Sequence, residues 1–203
     1  MRLSQGDSVR IFNSERGEWQ ATISKCHKRT VELTADSLLR PPVETRDLWL
    51  LFAPIKRTPL EWLLEKATEL GATRLMPILT DHTQVRSLNS ERLEAIVIEA
   101  AEQCERLDVP QLLAPMHLSQ LLASWNATRR LLVALEREDA PPLTKIASKG
   151  CAIFIGPEGG FSDAEKQLLS RQDFVQPFTL GQNILRAETA ALSSLAIWQS
   201  TQN

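Results

Sequence analysis

The sequence predicts an α/β domain built on a parallel sheet, preceded by a small antiparallel β domain. From Asp7 to Thr34, apolar and polar residues alternate in short runs, which is typical of antiparallel strands. Beyond residue 45, short apolar runs alternate with longer helical patterns, as expected for strands joined by helices. The chain of 203 residues suits one domain of ordinary size with a small appendage. We therefore predict a β domain over residues 1–45 and an α/β domain over residues 46–203.

The N-terminal segment contains three predicted strands, DSVRIFN, EWQATIS and RTVELTA. Gly17 separates the first two, and a polar patch from Lys25 to Lys28 separates the second from the third. The following stretch, LLRPPVETRD, contains Pro41 and Pro42 together with charged residues, so we predict an extended linker between the two domains.

The α/β segment has five predicted strands, LWLLFA, RLMPIL, RLLVAL, CAIFI and FVQPFTL. The first helix, TPLEWLLEKATELGA, has Thr58 as its cap, Pro59 at the first helical position and Gly71 at its end. The second helix, NSERLEAIVIEAAEQCERL, has Ser90 as its cap. Further helices are predicted at HLSQLLASW, from about Asp163 to Ser170 and from about Ala187 to Gln199. This alternation predicts a parallel sheet covered on both faces, with ligands bound outside the carboxyl ends of the strands.

The composition favours a folded, soluble protein, because 43% of the residues are hydrophobic and 24% are charged. No apolar run approaches the roughly 20 residues of a membrane helix, and MRLSQGDSVR lacks the apolar segment of a secretory signal. We therefore expect a cytoplasmic protein without membrane association. Cys26, Cys104 and Cys151 are widely spaced and odd in number, which indicates neither a disulfide framework nor a zinc site. We predict reduced thiols in packing positions and no bound metal.

Charge is distributed unevenly along the chain, although the formal net charge is only −2. Residues 1–46 contain eight Lys and Arg against six Asp and Glu, a net charge of +2. Residues 47–203 contain fifteen Lys and Arg against nineteen Asp and Glu, a net charge of −4. The N-terminal segment is therefore the better candidate for contact with a phosphate backbone, while an ordinary mixed surface explains the same numbers.

The stretch IGPEGGF follows the predicted strand CAIFI. Its glycines, Gly156, Gly159 and Gly160, let the backbone approach a ligand closely, and Pro157 stiffens the turn. A phosphate site would need free helix amides and a lysine, whereas this loop contains the carboxylate of Glu158 and no following lysine. The loop therefore suits a ligand that is neutral or cationic. Alternatively, Glu158 pairs with a cation elsewhere and the glycines only form a tight turn.

Ser162 and Glu165 come directly after this loop and have the spacing of a capping box. In such a box each side chain binds the backbone amide of the other residue. We therefore predict a structural role for both residues at the start of the next helix.

A second loop, LGQNILRAETA at residues 180–190, follows the last predicted strand. Gly181 forms a turn, and Ile184 and Leu185 provide an apolar wall. Arg186 and Glu188 stand at the start of the final helix. Arg186 is a fixed cation at a site, a surface residue or the ion-pair partner of Glu188.

The two loops, together with LEWLLEKATELGATRLMPILTDHTQ and EAAEQCERLDVPQL, resemble the SPOUT class of methyltransferases in order and spacing. Within that class, the chain is similar to the ribosomal small-subunit methyltransferase E family over nearly its whole length. The resemblance implies a parallel α/β domain whose C-terminal part is tied into a trefoil knot, preceded by a small PUA-like β-barrel. Because MRLSQGDSVRIF resembles a segment that follows the start of the family's barrel, we expect the barrel to be truncated.

The resemblance also implies S-adenosyl-L-methionine as the cofactor, held in a bent form by the knot loops. The residues implied for its pocket are Leu79, Ile155, Gly156, Pro157, Glu158, Gly159, Gly160, Leu180, Gly181, Ile184, Leu185 and Arg186. A sulfonium cation without phosphate agrees with the carboxylate in the first loop. The family usually has an arginine where this chain has Asn183, so one cationic contact is missing or supplied by another residue.

The activity implied by the resemblance is methylation of N3 of a specific uridine, uracil 1498, in 16S ribosomal RNA. Arg186 cannot serve as a base because its proton is effectively permanent, but its guanidinium could bond uracil O2 or O4 and stabilise the anion. We therefore expect Arg186 and Glu188 to be catalytic. Asp81 and His82 are alternative proton acceptors, and His82 is otherwise an ordinary surface histidine.

RNA contacts are expected from polar and charged residues in both segments. The candidates are Lys25, Lys28, Arg29, Gln103 and Arg106. The first three cluster between two predicted strands, and the last two lie in a stretch that the family places near the substrate. Each is alternatively a solubilising side chain. Glu99, Glu102 and Arg106 also have helical spacing, which predicts a solvated face with an i to i+4 pair between Glu102 and Arg106.

The expected partners are 16S ribosomal RNA, within the small ribosomal subunit, and a second copy of the chain. Family members pair through the region of the final helix, where this sequence presents Leu192, Leu195, Ala196 and Trp198. Two alternative functions are a SPOUT methyltransferase that acts on another RNA and a non-catalytic RNA-binding or ribosome-assembly factor.

Overall fold

The computed structural model describes residues 3–44, 46–85, 87–135 and 140–201. These residues form two compact units. One unit contains Met1–Thr45 together with Glu105–Val109, and we call it the β unit. The other contains Arg46–Cys104 and Pro110–Asn203, and we call it the α/β unit.

Within residues 3–44, the β unit is an antiparallel sheet of three strands, namely β1 (Ser8–Asn13), β2 (Gly17–Cys26) and β3 (Val31–Arg40). The strand order is β1-β2-β3, and the three predicted strands are confirmed. The predicted linker LLRPPVETRD is wrong at its start, because Leu38 pairs with Trp19 and Arg40 pairs with Glu18. These pairings extend β3 by giving its last residues sheet partners, which a linker lacks.

The Arg40 guanidinium joins the end of this sheet to the segment Glu105–Val109. Glu18 is buried, and its Oε2 accepts a hydrogen bond from Arg40 Nε at 2.5 Å. Arg40 Nη2 also donates to the carbonyl of Glu105 at 2.9 Å. A guanidinium thus joins a strand residue to a residue far along the chain, which explains why this segment belongs to the β unit.

The α/β unit contains parallel strands β4 (Trp49–Phe52), β5 (Arg74–Leu79), β6 (Gln111–Leu112), β7 (Met116–His117), β8 (Leu131–Ala134), β9 (Ala152–Ile155) and β10 (Val175–Phe178). Their order in the sheet is β10-β8-β9-β4-β5-β6, and β7 pairs with the end of β5. The five strands predicted for this segment are confirmed. The two-residue strands β6 and β7 are too short to show an alternating pattern, so they are not predicted.

The helices of this unit are α1 (Arg57–Glu69), α2 (Ser90–Gln103), α3 (Leu118–Ser124), α4 (Leu143–Ile146), α5 (Asp163–Ser170) and α6 (Ala187–Thr201). Two predicted caps are wrong. Thr58 and Pro59 already lie inside α1. Asn89, and not Ser90, caps α2, because its side-chain oxygen accepts a hydrogen bond from the Arg92 amide at 3.1 Å. The short helix α4 is not predicted.

The end of α2 also differs from the prediction. The helix ends at Gln103, and Glu105 has a positive φ of 56°, a conformation that a right-handed helix does not contain. Arg106 therefore lies outside the helix, and its predicted pairing with Glu102 is wrong. Arg106 binds Asp108 instead, with 2.6 Å between Nη2 and Oδ2.

Two apolar clusters cover the opposite faces of the parallel sheet. Along β4, Leu50 and Phe52 belong to one cluster and Leu51 to the other, because successive side chains of a strand point to opposite faces. The first cluster includes residues of α1, α2 and α6, and the second includes residues of α3 and α5. Each fully buried leucine or phenylalanine contributes about 2 kcal/mol. The predicted α/β fold, with a parallel sheet covered on both faces, is confirmed.

Two guanidinium groups lie on Trp49 at the start of the strands. Arg74 Cζ is 4.3 Å and Arg129 Cζ is 3.8 Å from the centre of the Trp49 ring. Asp47 accepts a hydrogen bond from Trp49 Nε1 at 2.7 Å and pairs with Arg129. Arg129 also donates to the carbonyl of Gly150 at 2.8 Å. These contacts fasten the beginnings of β4, β5, β8 and β9 to one another.

The three cysteines differ in exposure. Cys151 is buried, Cys104 is half-buried and Cys26 is exposed at the end of β2, so the prediction of packing positions is wrong for Cys26. Burial raises the pKa of the Cys151 thiol, because the thiolate would lose its hydration. Across the ranges that the structure describes, no helix is long and apolar enough to cross a membrane.

Candidate active site

Three loops leave the carboxyl ends of β5, β9 and β10. β5 and β9 both pair with β4, and β10 lies at the edge of the sheet beside β8. Because these strands are parallel, their carboxyl ends lie along one edge, where ligands bind in folds of this class. Leu79 ends β5, Ile155 ends β9 and Leu180 follows β10. The structure therefore places the residues implied for the pocket along this edge.

The glycine loop, residues 156–160, follows β9. A hydrogen bond of 2.8 Å from the Gly160 amide to the Pro157 carbonyl closes its turn. Gly160 has a φ of 67°, a left-handed conformation that strains other residues. Gly156 lies against Phe161, since a Cβ at Gly156 would be 2.9 Å from Cε2 of that ring. Phe161 is itself buried and packs edge-on against Phe154, with the ring centres 5.0 Å apart. Packing thus anchors the start of the loop, and a turn shapes its end.

Glu158 lies in the middle of this loop and is exposed. Among the residues that the structure describes, none forms a hydrogen bond or an ion pair with its carboxylate. The alternative in which Glu158 pairs with a cation elsewhere in the chain has no support in this part of the molecule. The negative charge is available at the site, where it opposes the binding of a polyanion.

The turn after β5, residues 80–83, is stabilised internally. Thr80 and Thr83 are buried, and Thr83 Oγ1 accepts a hydrogen bond from the Thr80 amide at 2.9 Å. Asp81 and His82 are exposed at the tip of this turn. Both residues bind the segment that follows β9, so His82 is exposed yet not an isolated surface side chain.

The predicted capping box of α5 is confirmed. Ser162 Oγ accepts a hydrogen bond from the Glu165 amide at 3.2 Å, and Glu165 Oε2 accepts one from the Ser162 amide at 2.9 Å. The second carboxylate oxygen, Oε1, accepts a hydrogen bond from the Asp81 amide at 2.9 Å. The capping pattern does not predict this contact, because 84 residues separate the two partners.

The third loop, residues 180–186, joins β10 to α6. Gly181 has a φ of 117°, and Thr179 Oγ1 accepts a hydrogen bond from its amide at 3.2 Å, so the predicted turn is present. Ile184 is 60% exposed, whereas Leu185 packs against the apolar cluster that includes α6. The Arg186 carbonyl accepts an amide of α6 at 2.8 Å, which places Arg186 at the start of that helix.

The charged residues at this helix start do not pair with each other. Arg186 is exposed, Glu188 is half-buried, and no ion pair joins them in the described part of the loop and helix. The alternative in which Glu188 is the ion-pair partner of Arg186 therefore has no support. Asn183, at the position where the family usually has an arginine, is exposed in the same loop.

Comparison with known proteins decides the family. Residues 42–199 match the family model of the RNA methyltransferase domain. The chain is 35% identical to the ribosomal RNA small subunit methyltransferase E of Rickettsia conorii over 199 residues. The matched region covers 97% of this chain and 82% of the relative. This chain belongs to the ribosomal RNA small subunit methyltransferase E family.

Solved structures agree with membership of the methyltransferase E family. The Neisseria gonorrhoeae ribosomal RNA small subunit methyltransferase E, bound to S-adenosyl methionine, is 26% identical, with a TM-score of 0.83 over 98% of this chain and 85% of that chain. A Legionella pneumophila methyltransferase in complex with SAM is 30% identical, with a TM-score of 0.82 over the same shares. The TrmH/SpoU tRNA modifying enzyme of A. aeolicus, 11% identical with a TM-score of 0.52 over 78% of this chain and 76% of that chain, shares the fold alone. The chain thus has the α/β fold of SPOUT methyltransferases.

Three of the cations predicted to contact RNA lie near the end of β2 in the β unit. Lys28 and Arg29 are exposed between β2 and β3. Lys25 is exposed as well, and its Nζ lies 3.0 Å from Oε2 of Glu32. The first two side chains therefore have no carboxylate partner within the described residues, whereas Lys25 is partly neutralised.

The two candidates beyond the β-unit strands differ from each other. Gln103 is exposed at the end of α2. The Arg106 side chain is only 13% exposed and binds Asp108 through two hydrogen bonds. Contact with a phosphate would require this pair to open, so the structure does not support Arg106 as an RNA contact.

A groove of about 610 Å³ lies between α1 and α2. All of its lining residues belong to these two helices, including Glu61, Arg92 and Gln103, so the groove is separate from the three loops. Hydrogen bonds from two arginines lower the pKa of Glu61 to about 2, with the larger effect from Arg92 and the smaller from Arg57. The groove therefore contains paired charges.

Proposed function

We propose that this protein transfers a methyl group from S-adenosyl-L-methionine to N3 of a specific uridine in 16S ribosomal RNA, within the small ribosomal subunit. The observation that supports this most directly is the glycine loop, which exposes backbone and the carboxylate of Glu158 at the ligand-binding edge of the sheet. The Neisseria gonorrhoeae relative is bound to S-adenosyl methionine, and the Rickettsia conorii relative is named as a small subunit ribosomal RNA methyltransferase.

The residues of the three loops fit S-adenosyl-L-methionine. This molecule has a nucleoside, a sulfonium cation and no phosphate, so the unpaired carboxylate of Glu158 attracts it. Backbone groups of the glycine loop bind its adenosine part in this proposal. The exposed Ile184 and the half-buried Leu79, Leu180 and Leu185 provide the apolar surround of the adenine. When bound, the cofactor supplies an electrophilic methyl group.

Uracil N3 must lose a proton for methylation, so the site must stabilise an anion and accept that proton. We assign anion stabilisation to Arg186, whose exposed guanidinium stays charged and donates to uracil O2 or O4. The N-terminus of α6 adds partial positive charge at the same place. We assign proton acceptance to Glu188 in the first turn of α6. Asp81 is less suited, because its Oδ2 already accepts the Ser162 hydroxyl.

RNA binding is assigned to three cations of the β unit and to one residue of α2 in this proposal. Lys28 and Arg29, together with Lys25, contact phosphates and position the RNA without reading its bases. Gln103 is assigned a hydrogen bond to the RNA.

The finer architecture implied by the family is also part of the proposal. The trefoil knot of the proposal rests on membership of the family. It requires the chain between β10 and α6 to pass through an earlier loop. We propose that the β1-β2-β3 sheet is part of a PUA-like barrel. A homodimer formed through α6 is supported by the exposed Ala196 and the half-buried Leu192. The other two residues predicted for this contact, Leu195 and Trp198, are buried in the core of the same unit. Light scattering after size-exclusion chromatography tests the dimer.

A ribosomal substrate implies a cytoplasmic location in this proposal.

Calorimetry with S-adenosyl-L-methionine tests the first step of the proposal, and no binding at millimolar cofactor would refute it. Small ribosomal subunits from a strain that lacks the gene then test methyl transfer, with N3-methyluridine measured by mass spectrometry of nuclease digests. We expect this nucleoside to form only when protein and cofactor are both present. A methyl group on ribose or on another RNA would indicate a different SPOUT target, and cofactor-free RNA binding would indicate an assembly factor.

Arg186→Ala separates the substrate role from the cofactor role. Removing one donor that stabilises transition-state charge lowers turnover by about 10²- to 10³-fold. The Kd for S-adenosyl-L-methionine should change by less than about threefold, because the interaction is made mainly in the transition state. Arg171→Ala, at an exposed arginine that follows α5, is the matched control and should change neither quantity. Equal losses in turnover and cofactor affinity would contradict the role of Arg186.

A further inference from the structure

Two adjacent residues in the turn after β5 bind the segment that follows β9. The Asp81 amide donates to Glu165 Oε1 at 2.9 Å, and Asp81 Oδ2 accepts the Ser162 hydroxyl at 2.6 Å. His82 Nδ1 lies 3.1 Å from the carbonyl oxygen of Gly159 and 3.0 Å from that of Gly160. Two loops that are about 80 residues apart in sequence are thus joined at several points.

The hydrogen-bond partners of His82 decide which of its ring nitrogens carries a proton. Carbonyl oxygens only accept hydrogen bonds, so Nδ1 must donate to both of them. The neutral tautomer with a proton on Nδ1 and the imidazolium both satisfy this requirement.

Glu165 has a larger role than capping α5. Its side chain is only 5% exposed, and its two carboxylate oxygens accept one backbone amide each, from Ser162 and from Asp81. A capping box explains only the first of these bonds. The second uses a buried carboxylate to hold the turn after β5, and its loss would leave a buried polar group without a partner.

The glycine loop has few restraints of its own. Its three glycines are conformationally permissive, and its internal hydrogen bond is the one from Gly160 to Pro157. The contact with His82 orients the carbonyls of Gly159 and Gly160, and so it also orients the peptide planes that contain them. The approach is close, since a Cβ at Gly159 would lie 3.2 Å from Cβ of His82.

We propose that Asp81, His82, Ser162 and Glu165 form a clasp that sets the ligand-binding conformation of the glycine loop, with His82 as its positioning residue. For its ligand, the clasp rests on the proposed function. When the loop is already ordered in the free protein, binding carries a smaller entropic cost of ordering it, and the affinity for the ligand is higher. Loss of the clasp weakens cofactor binding and leaves the chemical step intact.

Two substitutions at one position test the donor. In His82→Asn, the side-chain amide nitrogen takes the place of Nδ1 and still donates, whereas His82→Leu has similar bulk and no donor. With the hydrogen bond that Nδ1 shares between two carbonyls lost, His82→Leu should raise the Kd for S-adenosyl-L-methionine about tenfold, with kcat at saturating cofactor within about twofold of wild type. His82→Asn should keep both constants near wild type. The control His27→Leu, at an exposed histidine of the β unit, should leave the Kd for the cofactor unchanged.

Hydrogen exchange of the ligand-free protein provides a measurement that needs no cofactor. In His82→Leu the amides of Asp81, Gly160 and Ser162 should exchange roughly tenfold faster, and those of β4 and β9 should not change. Unchanged exchange, or an affinity loss in His82→Asn equal to that in His82→Leu, would overturn the clasp. A loss of turnover in both variants at saturating cofactor would overturn positioning in favour of a chemical role for the imidazole. If the wild-type protein binds no cofactor, the proposed function fails, and the exchange rates still decide the clasp.

Discussion

Replacing Gly156 with alanine tests the packing that anchors the glycine loop. The backbone at Gly156 is not left-handed, so alanine is compatible with its conformation. The new Cβ would lie 2.9, 3.1 and 3.3 Å from three ring atoms of Phe161. That ring is buried and packs edge-on against Phe154, so it can yield only by disturbing the core beneath the sheet.

The expected cost follows from two opposing contributions. Overpacking a buried site by one methyl group costs about 1–3 kcal/mol. Replacing glycine with alanine also lowers the conformational entropy of the unfolded chain, which stabilises the folded protein by about 0.4–1 kcal/mol. The free energy of unfolding should therefore fall by roughly 1–2 kcal/mol, and Tm by roughly 2–8 °C for a chain of this size.

A double-mutant cycle identifies the ring as the cause. Phe161→Leu shortens the side chain that Gly156→Ala meets, so the double variant should be about 1 kcal/mol more stable than the sum of the single changes predicts. Gly181→Ala is the control, because its φ is 117° and its Cβ would meet nothing within 4 Å outside its two chain neighbours. Its cost of about 1–2 kcal/mol comes from the backbone alone, so Phe161→Leu should not relieve it.

Urea unfolding monitored by tryptophan fluorescence gives the stabilities, and calorimetry with S-adenosyl-L-methionine gives the effect on the site. We expect Gly156→Ala to weaken cofactor binding as well, because the start of the glycine loop must shift with the ring. Additive effects of Gly156→Ala and Phe161→Leu, or wild-type stability of Gly156→Ala, would refute the steric reasoning.

Arg129→Leu removes a guanidinium from the Trp49 ring together with its hydrogen bonds, so the free energy of unfolding in urea should fall by about 2–3 kcal/mol. A change below about 0.5 kcal/mol would show that these contacts do not stabilise the fold. Glu61→Gln tests pH dependence, because the pKa of Glu61 is lowered from 4.5 to about 2 by its arginine partners. The stabilisation by this carboxylate is present above about pH 4.5 and is lost as the pH falls towards 2, so the variant should lose less Tm over that interval than wild type. Equal losses would contradict the pairing. Lys28→Ala with Arg29→Ala should lower the slope of log Kd for ribosomal RNA against log salt by about 1–2, and an unchanged slope would exclude both residues from phosphate contact.

Elements with short-range determinants could be predicted from the sequence. The strand β9 and the cap of α5 are examples, because an apolar run and an S-x-x-E spacing act over a few residues. The cap of α2 shows the limit of this reasoning: Asn89 and Ser90 are both good caps, and only the observed hydrogen bond to the Arg92 amide separates them.

Features that depend on a distant part of the chain could not be predicted in this way. The end of α2 is one example, because Arg40 of the β unit binds the carbonyl of Glu105, which has left the helical conformation. Arg106 consequently pairs with Asp108 and not along a helix face. Nothing within a few residues of Glu105 indicates Arg40 as its partner, so helical spacing alone led to the wrong pairing.

By itself, the sequence determined the order of the strands and helices that form the α/β fold, the glycines and carboxylate of the loop after β9, and the motifs of the methyltransferase E family. These properties are encoded in neighbouring residues. Only the tertiary structure decided that His82 donates to the carbonyls of Gly159 and Gly160 and that Glu165 binds the Asp81 amide. The physical reason is that β5 and β9 both lie beside β4, which brings the ends of two strands together that no local pattern connects.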